Sequence, residues 1–97
     1  MEKIYKANGI SMKKEINKNG TIRYFNMKGE HHREDGPAVE YADGDKYWYK
    51  NGLRHREDGP AIEYADGNNR YWYNGFYYPK IKTDEEWIRF VKLMVFQ

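Results

Sequence analysis

Residues 32–43, His-Arg-Glu-Asp-Gly-Pro-Ala-Val-Glu-Tyr-Ala-Asp, recur 23 positions later at 55–66 with a single change, Val39 for Ile62. A unit this short, built of strand-forming aromatics and turn residues, cannot bury an apolar face alone and needs neighbours of its own kind stacked against it. The repetition therefore constrains the fold tightly. It says far less about function, because what is written twice is needed in every unit.

Inside the copies apolar and polar residues alternate with period two, Val39 and Tyr41 against Ala38, Glu40 and Ala42, then Tyr47 and Tyr49 against Trp48, which predicts strands. The reversals between them are Ala42-Asp43-Gly44, Lys50-Asn51-Gly52, Ala65-Asp66-Gly67 and Asn74-Gly75, and Asp-Gly and Asn-Gly supply the positive φ of tight hairpins. Glu34-Asp35-Gly36-Pro37 and Glu57-Asp58-Gly59-Pro60 end each hairpin, since proline removes an amide donor. Nearer the start, Tyr5-Lys6-Ala7-Asn8-Gly9 echoes Tyr49-Lys50-Asn51-Gly52, and Gly20-Thr21-Ile22-Arg23-Tyr24-Phe25 echoes Gly67-Asn68-Asn69-Arg70-Tyr71-Trp72. The expectation is one mainly β domain over 1–97, an antiparallel meander of about seven to nine strands with a period of about 23 residues. Residues 1–28 form a degenerate first unit and 29–79 two close ones.

After Tyr78-Pro79 the period changes. Thr83-Asp84-Glu85-Glu86 reads as a capping box that opens a C-terminal helix over 83–97, with acids at the positive end of its dipole. Trp87, Ile88, Phe90, Val91, Leu93, Met94, Val95 and Phe96 cover nearly its whole circumference. One sheet face cannot bury all of that, so either the strands curl around the helix or its outer side meets a second chain or another partner. A homodimer through this helix is one expectation.

Ninety-seven residues leave no room for a separate catalytic domain. Without cysteine the chain has neither disulfides nor the common structural zinc sites, and with no apolar run of about 20 residues and no leader-like start it reads as cytoplasmic, with no membrane partner. The net charge of +2 conceals a gradient: residues 1–28 carry seven Lys or Arg against two acids, and 29–75 carry six against ten. A basic N-terminal third can follow phosphates or face an acidic protein, although lysines also blunt strand edges.

His32, Arg33, Glu34 and Asp35, duplicated as His55, Arg56, Glu57 and Asp58, resemble a site: histidine beside carboxylates can act as a base or ligate metal, and arginine can clamp phosphate. The duplication argues otherwise, because an active site needs its groups once, converging on one pocket. We therefore assign to the scaffold His32, Arg33, Asp35, Gly36, Pro37, Trp48 and Gly52, with His55, Arg56, Asp58, Gly59, Pro60, Trp72 and Gly75. Arg33 and Arg56 are expected to pair with carboxylates of an adjacent turn, and Asp35 and Asp58 to cap their Gly-Pro reversals. The lone Ser11 has no neighbouring histidine, and neither a phosphate-binding loop nor metal-ligand spacing occurs, so no enzyme, cofactor or metal is expected. His31 and His32 should face opposite sides of a strand.

Specific binding needs residues that break the repeat. By matching Tyr47-Trp48-Tyr49 to Tyr71-Trp72-Tyr73, the copies differ where Glu30-His31 becomes Leu53-Arg54 and Asp45-Lys46 becomes Asn68-Asn69-Arg70, leaving Lys50 without a counterpart. The candidate partner-binding residues are thus His31, Asp45, Lys46, Lys50, Arg54, Asn68, Asn69 and Arg70 at hairpin tips and rims, Lys13, Lys14 and Lys18 in the basic third, and Arg89 and Lys92 on the helix. An exposed Tyr/Trp sheet face beside basic residues is also how many sheets bind single-stranded nucleic acid, against the simpler reading that the rings pack across strands.

At His-Arg-Glu-Asp-Gly-Pro-Ala and Tyr49-x-Asn-Gly-x-x-His55 the chain resembles short β-hairpin repeats of bacteriophage and large-virus proteins, closely over 44–75 and loosely over 5–79. It is more loosely similar to the MORN repeat, with Asp-Gly-Pro in place of that unit's Gly-rich second half, so that family's lipid binding is not implied. In outline the hairpins also look like choline-binding repeats of cell-wall proteins. The resemblance implies a phage or mobile-element binding protein that contacts a host protein or ribonucleoprotein complex, in the manner of an anti-CRISPR inhibitor of defence. The alternative is nucleic-acid or nucleotide binding by the basic strands and the ring face.

Overall fold

A computed structural model describes the backbone of residues 2–7 and 10–95 and the side chains of 11–95. It is mainly β, with antiparallel pairing throughout and one C-terminal helix. Eleven strands occur among the described residues: β1 (Glu2–Ala7), β2 (Ile10–Ile16), β3 (Ile22–Phe25), β4 (Val39–Glu40), β5 (Lys46–Tyr47), β6 (Tyr49–Lys50), β7 (Leu53–Arg54), β8 (Ile62–Glu63), β9 (Asn69–Arg70), β10 (Trp72–Tyr73) and β11 (Phe76–Tyr77). The helix α1 spans Asp84–Val95. The strand count exceeds the expected seven to nine because each long strand is broken once, at Trp48 between β5 and β6 and at Tyr71 between β9 and β10.

The order is not that of a simple meander. Seven strands form one sheet, β1-β2-β3-β4-β5-β8-β9, while β6-β7 and β10-β11 stand apart as separate hairpins. The sheet passes from β5 directly to β8, and the intervening hairpin projects beyond its margin. Several bonds tie each of these hairpins to what precedes it, among them Gly52 N to His31 O and Gly75 N to Arg54 O, both at 2.9 Å, and Arg33 N to Tyr49 O and Arg56 N to Trp72 O, both at 3.3 Å.

Turn chemistry sets these connections. Asn51 and Gly52 have φ of 49° and 85°, Asn74 and Gly75 of 47° and 86°, so both two-residue loops twist with their strands. The wider reversals at 41–45 and 64–68 close with an amide of the first residue on the carbonyl of the fifth, Tyr41 N to Asp45 O and Tyr64 N to Asn68 O at 2.9 Å. Asn17–Thr21 is built alike, and so is Asn26–Glu30, where the first unit uses the wide turn in place of Asn-Gly. The turn at 8–9 lies outside the described residues.

The molecule measures 39 × 31 × 17 Å, and seven of its strands share one sheet with side chains on both faces. Burial is correspondingly local. Met12, Tyr24, Ala38, Val39, Ala61 and Ile62 are buried along the sheet, and Tyr71, Trp87 and Val91 form a cluster flanked by Tyr73, Tyr78, Ile81, Phe90 and Met94. The expected capping box is present: Glu86 N donates to Thr83 Oγ1 and Thr83 N to Glu86 Oε1, each at 3.2 Å. Strands do not curl around α1. It lies against one end, burying Trp87 and Val91 and leaving Leu93 and Val95 exposed, while Phe96 lies outside the described residues.

Candidate functional site: a ring and arginine face

The hydrogen bonds fix which positions are equivalent. His32 N donates to Tyr24 O, His55 N to Trp48 O and Tyr78 N to Tyr71 O; Arg33 N donates to Tyr49 O and Arg56 N to Trp72 O. Trp48 thus corresponds to Tyr71, and Trp72 to Tyr49. The sequence comparison, which matched the two Trp residues, is corrected: no residue is inserted, Lys50 corresponds to Tyr73, and Tyr47 to Arg70. Pairing Trp48 with Trp72 as one scaffold position would place both on the same face; they lie on opposite faces.

One face is the joint between units. Arg33 lies 4.1 Å from the centre of the Tyr24 ring and Arg56 3.9 Å from that of Trp48. Each guanidinium is held on all sides: Arg33 by Asp35 (2.9 Å), Glu40 (3.2 Å) and Pro37 O (3.1 Å), and Arg56 by Asp58 (2.9 Å), Glu63 (2.8 Å) and Pro60 O (3.2 Å). Asp35 and Asp58 accept from arginine side chains, so their expected role as backbone caps is replaced by this clasp. Gly36 and Gly59 are required beneath it, since a Cβ there would stand 2.9 Å from the arginine Cζ. Where a third arginine would follow, the chain has Pro79, and Trp87 of α1 sits 5.5 Å from the Tyr71 ring instead, its Nε1 donating to Arg56 O at 2.8 Å. Asp84 accepts from the Tyr71 hydroxyl at 2.6 Å, and burial, followed by this bond, raises the phenol well above its ordinary range.

The two buried histidines are committed to the same joints. Nδ1 of His32 accepts from Asn51 N, and Nδ1 of His55 from Asn74 N, both at 2.9 Å, while Nε2 meets Glu34 (2.9 Å) and Glu57 (3.1 Å). Every ring nitrogen is occupied, leaving no lone pair for a substrate proton. A cavity of about 590 Å³ lies between the loops, lined by Arg33–Pro37, Trp48–Lys50 and His55–Asp58. Most of its charged groups are bound into the clasp. Among the described residues no group of three or more His, Cys, Asp or Glu side chains is placed to hold a metal ion.

The opposite face is open. Cross-strand partners share a face, so the pairings Arg23–Val39, Val39–Tyr47, Tyr47–Ile62 and Ile62–Arg70 carry one row from β3 to β9. Val39 and Ile62 are buried in it, whereas the tyrosines and arginines are partly exposed. Two residues along lies a row of rings. Phe25 stacks on His31 at 5.0 Å and His31 lies 5.1 Å from Tyr49; Arg54 follows, its Nε 3.4 Å from the Tyr49 hydroxyl and its guanidinium 4.9 Å from the Trp72 ring, and Trp72 stacks on Tyr77 at 5.2 Å. Behind it Arg23, Tyr41, Tyr47, Tyr64 and Arg70 form a second row, with contacts from 5.3 to 6.2 Å.

The positive charge of this face comes from its arginines and Lys13, with Glu15 of β2 paired opposite Arg23. Burial and nearby Arg23 lower the pKa of His31, keeping it neutral at neutral pH, and burial with the Tyr64 contact pushes Tyr47 up to about 12. Among the described residues no carboxylate lies within ion-pair distance of Arg23, Arg54 or Arg70. Among the described residues, the buried side-chain atoms without a hydrogen-bond partner are His31 Nε2 and Trp72 Nε1, both in the ring row. Such groups ordinarily have one. A cleft of about 280 Å³ between the projecting hairpins is lined by Tyr49, Gly52, Leu53, Arg54, Trp72 and Gly75.

Of the predicted binding residues, His31, Arg54 and Arg70 come together here. Lys13 pairs opposite Phe25 on the same face, but Lys14 pairs opposite Tyr24, lies 5.5 Å from its ring and faces the other way, and Lys18 is exposed in the β2–β3 turn, so the three do not make one patch. Asp45 is a joint residue, Oδ1 accepting from Ala65 N at 2.7 Å, and Lys46 stands between Glu40 and Glu63. Lys50, Asn68 and Asn69 are exposed on hairpin rims, Arg89 and Lys92 on α1. Sequence reasoning missed Arg23, Tyr41, Tyr64 and Tyr77, and exposed Leu53 and Phe76 at the tips; Tyr41 and Tyr64 are identical in both copies, so a search for residues that break the repeat passes over them. The chain matches no family model, no curated protein and no solved structure. Among the described residues no helix is long and apolar enough to cross a membrane.

Proposed function

We propose that this chain is a small repeat protein without catalytic activity that binds a macromolecular partner through its ring and arginine face. The observation that carries this reading is the row Phe25, His31, Tyr49, Arg54, Trp72 and Tyr77, in which, among the described residues, the arginine has no carboxylate and two buried ring nitrogens lack partners. Tyr, Trp and Arg are the side chains that dominate protein interfaces, because they combine large contact area with a polar handle at low entropy cost. On the resemblance to phage and large-virus repeats, the partner is a host protein or ribonucleoprotein complex of a defence system, met in the host cytoplasm, and the chain acts by occlusion as an anti-CRISPR protein does. The test is capture from nuclease-treated host lysate by immobilised wild type and by an Arg54→Glu, Arg70→Glu variant. One discrete partner held by the wild type and lost by the variant supports the reading; equal capture by both sinks it.

A second reading has its own observation. Rings about 5 Å apart with a guanidinium among them resemble the platforms on which single-stranded bases stack, at about 1–3 kcal/mol per base. It predicts binding of a labelled oligothymidylate with affinity that falls steeply as salt rises and is lost in the same variant. Affinity that ignores salt would eliminate it. Self-association through Leu93 and Val95 of α1 is a separate expectation, checked by light scattering on a Val95→Glu variant.

A further inference from the structure

The Asn26–Glu30 turn, the β6–β7 hairpin and the β10–β11 hairpin follow one another along the molecule, and each meets the next through the same bond. Gly52 N donates to His31 O and Gly75 N to Arg54 O, so Arg54 is the counterpart of His31, and Leu53 that of Glu30. The side chains keep that equivalence: a Cβ at Gly52 would stand 3.6 Å from Glu30 Cβ, and one at Gly75 3.3 Å from Leu53 Cδ2. At the first meeting the chain supplies its own carboxylate, with Asn26 Nδ2 donating to Glu30 Oε1 at 2.8 Å and to Asn51 Oδ1 at 3.2 Å, beside a histidine held neutral. At the second, leucine replaces the glutamate and arginine the histidine. A cation is gained where the anion is lost.

Arg54 is partly exposed, and its Nε donates to the Tyr49 hydroxyl at 3.4 Å, while its terminal nitrogens have no hydrogen-bond partner among the described residues. The Tyr49 hydroxyl proton has no acceptor among them either. Two groups thus bring open donors to one point. There is room beside them for an acceptor, because the cleft of about 280 Å³ between the two hairpins is lined by Tyr49, Leu53, Arg54 and Trp72, and Leu53 is 49% exposed. That volume falls below the roughly 300–1,000 Å³ of sites that enclose a free small molecule. It suits one side chain.

Taking this face as the surface that meets a protein partner, we propose that the cleft is a socket for one acidic side chain of that partner, whose carboxylate accepts from Arg54 and the Tyr49 hydroxyl while its methylenes lie against Leu53 and Trp72. The chain itself shows the complement. Arg33 and Arg56, packed on rings at 4.1 and 3.9 Å, each bond a glutamate, Glu40 at 3.2 Å and Glu63 at 2.8 Å. Arg54 has its ring in Trp72 at 4.9 Å, and its glutamate must come from outside. A planar guanidinium makes its strongest hydrogen bonds to a carboxylate. The socket therefore selects for charge: a neutral residue seated there would cover Arg54 and leave it unpaired.

The full chain, labelled with ¹⁵N, is titrated with N-acetyl-glutamate N-methylamide at constant ionic strength. The Arg54 Nε–H signal and the Gly75 amide should shift saturably with a Kd on the order of 10 mM, and the glutamine analogue should leave both unmoved. Arg54→Gln should abolish the response at Gly75, and Tyr49→Phe should weaken binding about fivefold. Dimethyl phosphate is the rival probe, since it carries its single charge as a nucleic-acid backbone does. Dimethyl phosphate binding as tightly as the glutamate analogue, equal shifts with the glutamine analogue, or no saturation at about ten times the expected Kd overturns the proposal. Capture from lysate keeps it apart from the reading of the face. If the glutamate analogue fails while the wild type still holds a partner that the Arg54→Glu, Arg70→Glu variant loses, the socket is wrong and the reading stands; equal capture by both proteins sinks the reading and the socket with it.

Discussion

Arginines lie against aromatic rings on both faces of this sheet, and the two sets differ in what surrounds them. Arg33 and Arg56 sit 4.1 and 3.9 Å from their rings, and each bonds two carboxylates and a carbonyl. Arg54 lies 5.5 Å from Tyr47 and 4.9 Å from Trp72, and its polar contact is the Tyr49 hydroxyl. A guanidinium whose hydrogen bonds are filled from within the molecule stabilises the fold and has little left for a partner. One with a ring beneath it and open donors stabilises little and stays available. The same residue pair thus makes a joint on one face and a contact surface on the other.

The largest expected effect tests the closed end of the joint face. Trp87→Ala removes a fully buried ring and the bond to Arg56 O, and should cost about 3–5 kcal/mol in urea unfolding. A loss under about 1 kcal/mol would mean that α1 does not seal the stack. Next comes the direct contrast. Arg56→Met should cost about 2–3 kcal/mol, below the value for a fully buried pair because Arg56 and Glu63 are 21% and 37% exposed, while Arg54→Met should stay within about 1 kcal/mol. Equal losses would erase the distinction between the faces. Gly59→Ala, which sets a Cβ 2.9 Å from Arg56 Cζ, should cost about 1–2 kcal/mol, read as a lowered melting temperature.

The smallest effect sharpens the ring face. His31 has its pKa lowered from 6.5 by burial and by Arg23, so the unfolded chain takes up a proton near 6.5 that the folded chain refuses. Stability from this residue is therefore complete above 6.5 and declines as pH falls through that value toward the depressed folded one. His31→Phe keeps the ring and removes the titration, so the difference in stability between the two proteins should change between pH 7 and 5, where His32 and His55 are common to both. A constant difference would show that His31 is not held neutral by its surroundings.

Some of this was legible beforehand. Asn-Gly at 51–52 and 74–75 names its turns because few residues accept positive φ, and Thr83 with Glu86 marks the start of α1 because both side chains reach orphan amides. That His31 and His32 face opposite ways follows from period two. The register of the second copy was not legible. Side-chain identity paired Trp48 with Trp72, whereas the bonds pair Trp48 with Tyr71, and a slip of one residue carries every side chain to the other face. Lys13, Lys14 and Lys18 formed a cluster in sequence and are divided between faces and a turn in space.

The sequence by itself determined that the chain would be built of antiparallel strands and one helix, because turns, alternation and caps are local choices of backbone conformation. Tertiary structure alone decided which arginines are clasped and which are open, that Trp87 takes the place of a third arginine, and that β9 is the last strand of its sheet. Those outcomes depend on ladder register and on where the last unit runs out of neighbours. Both are properties of pairing between distant segments, and no single segment encodes them.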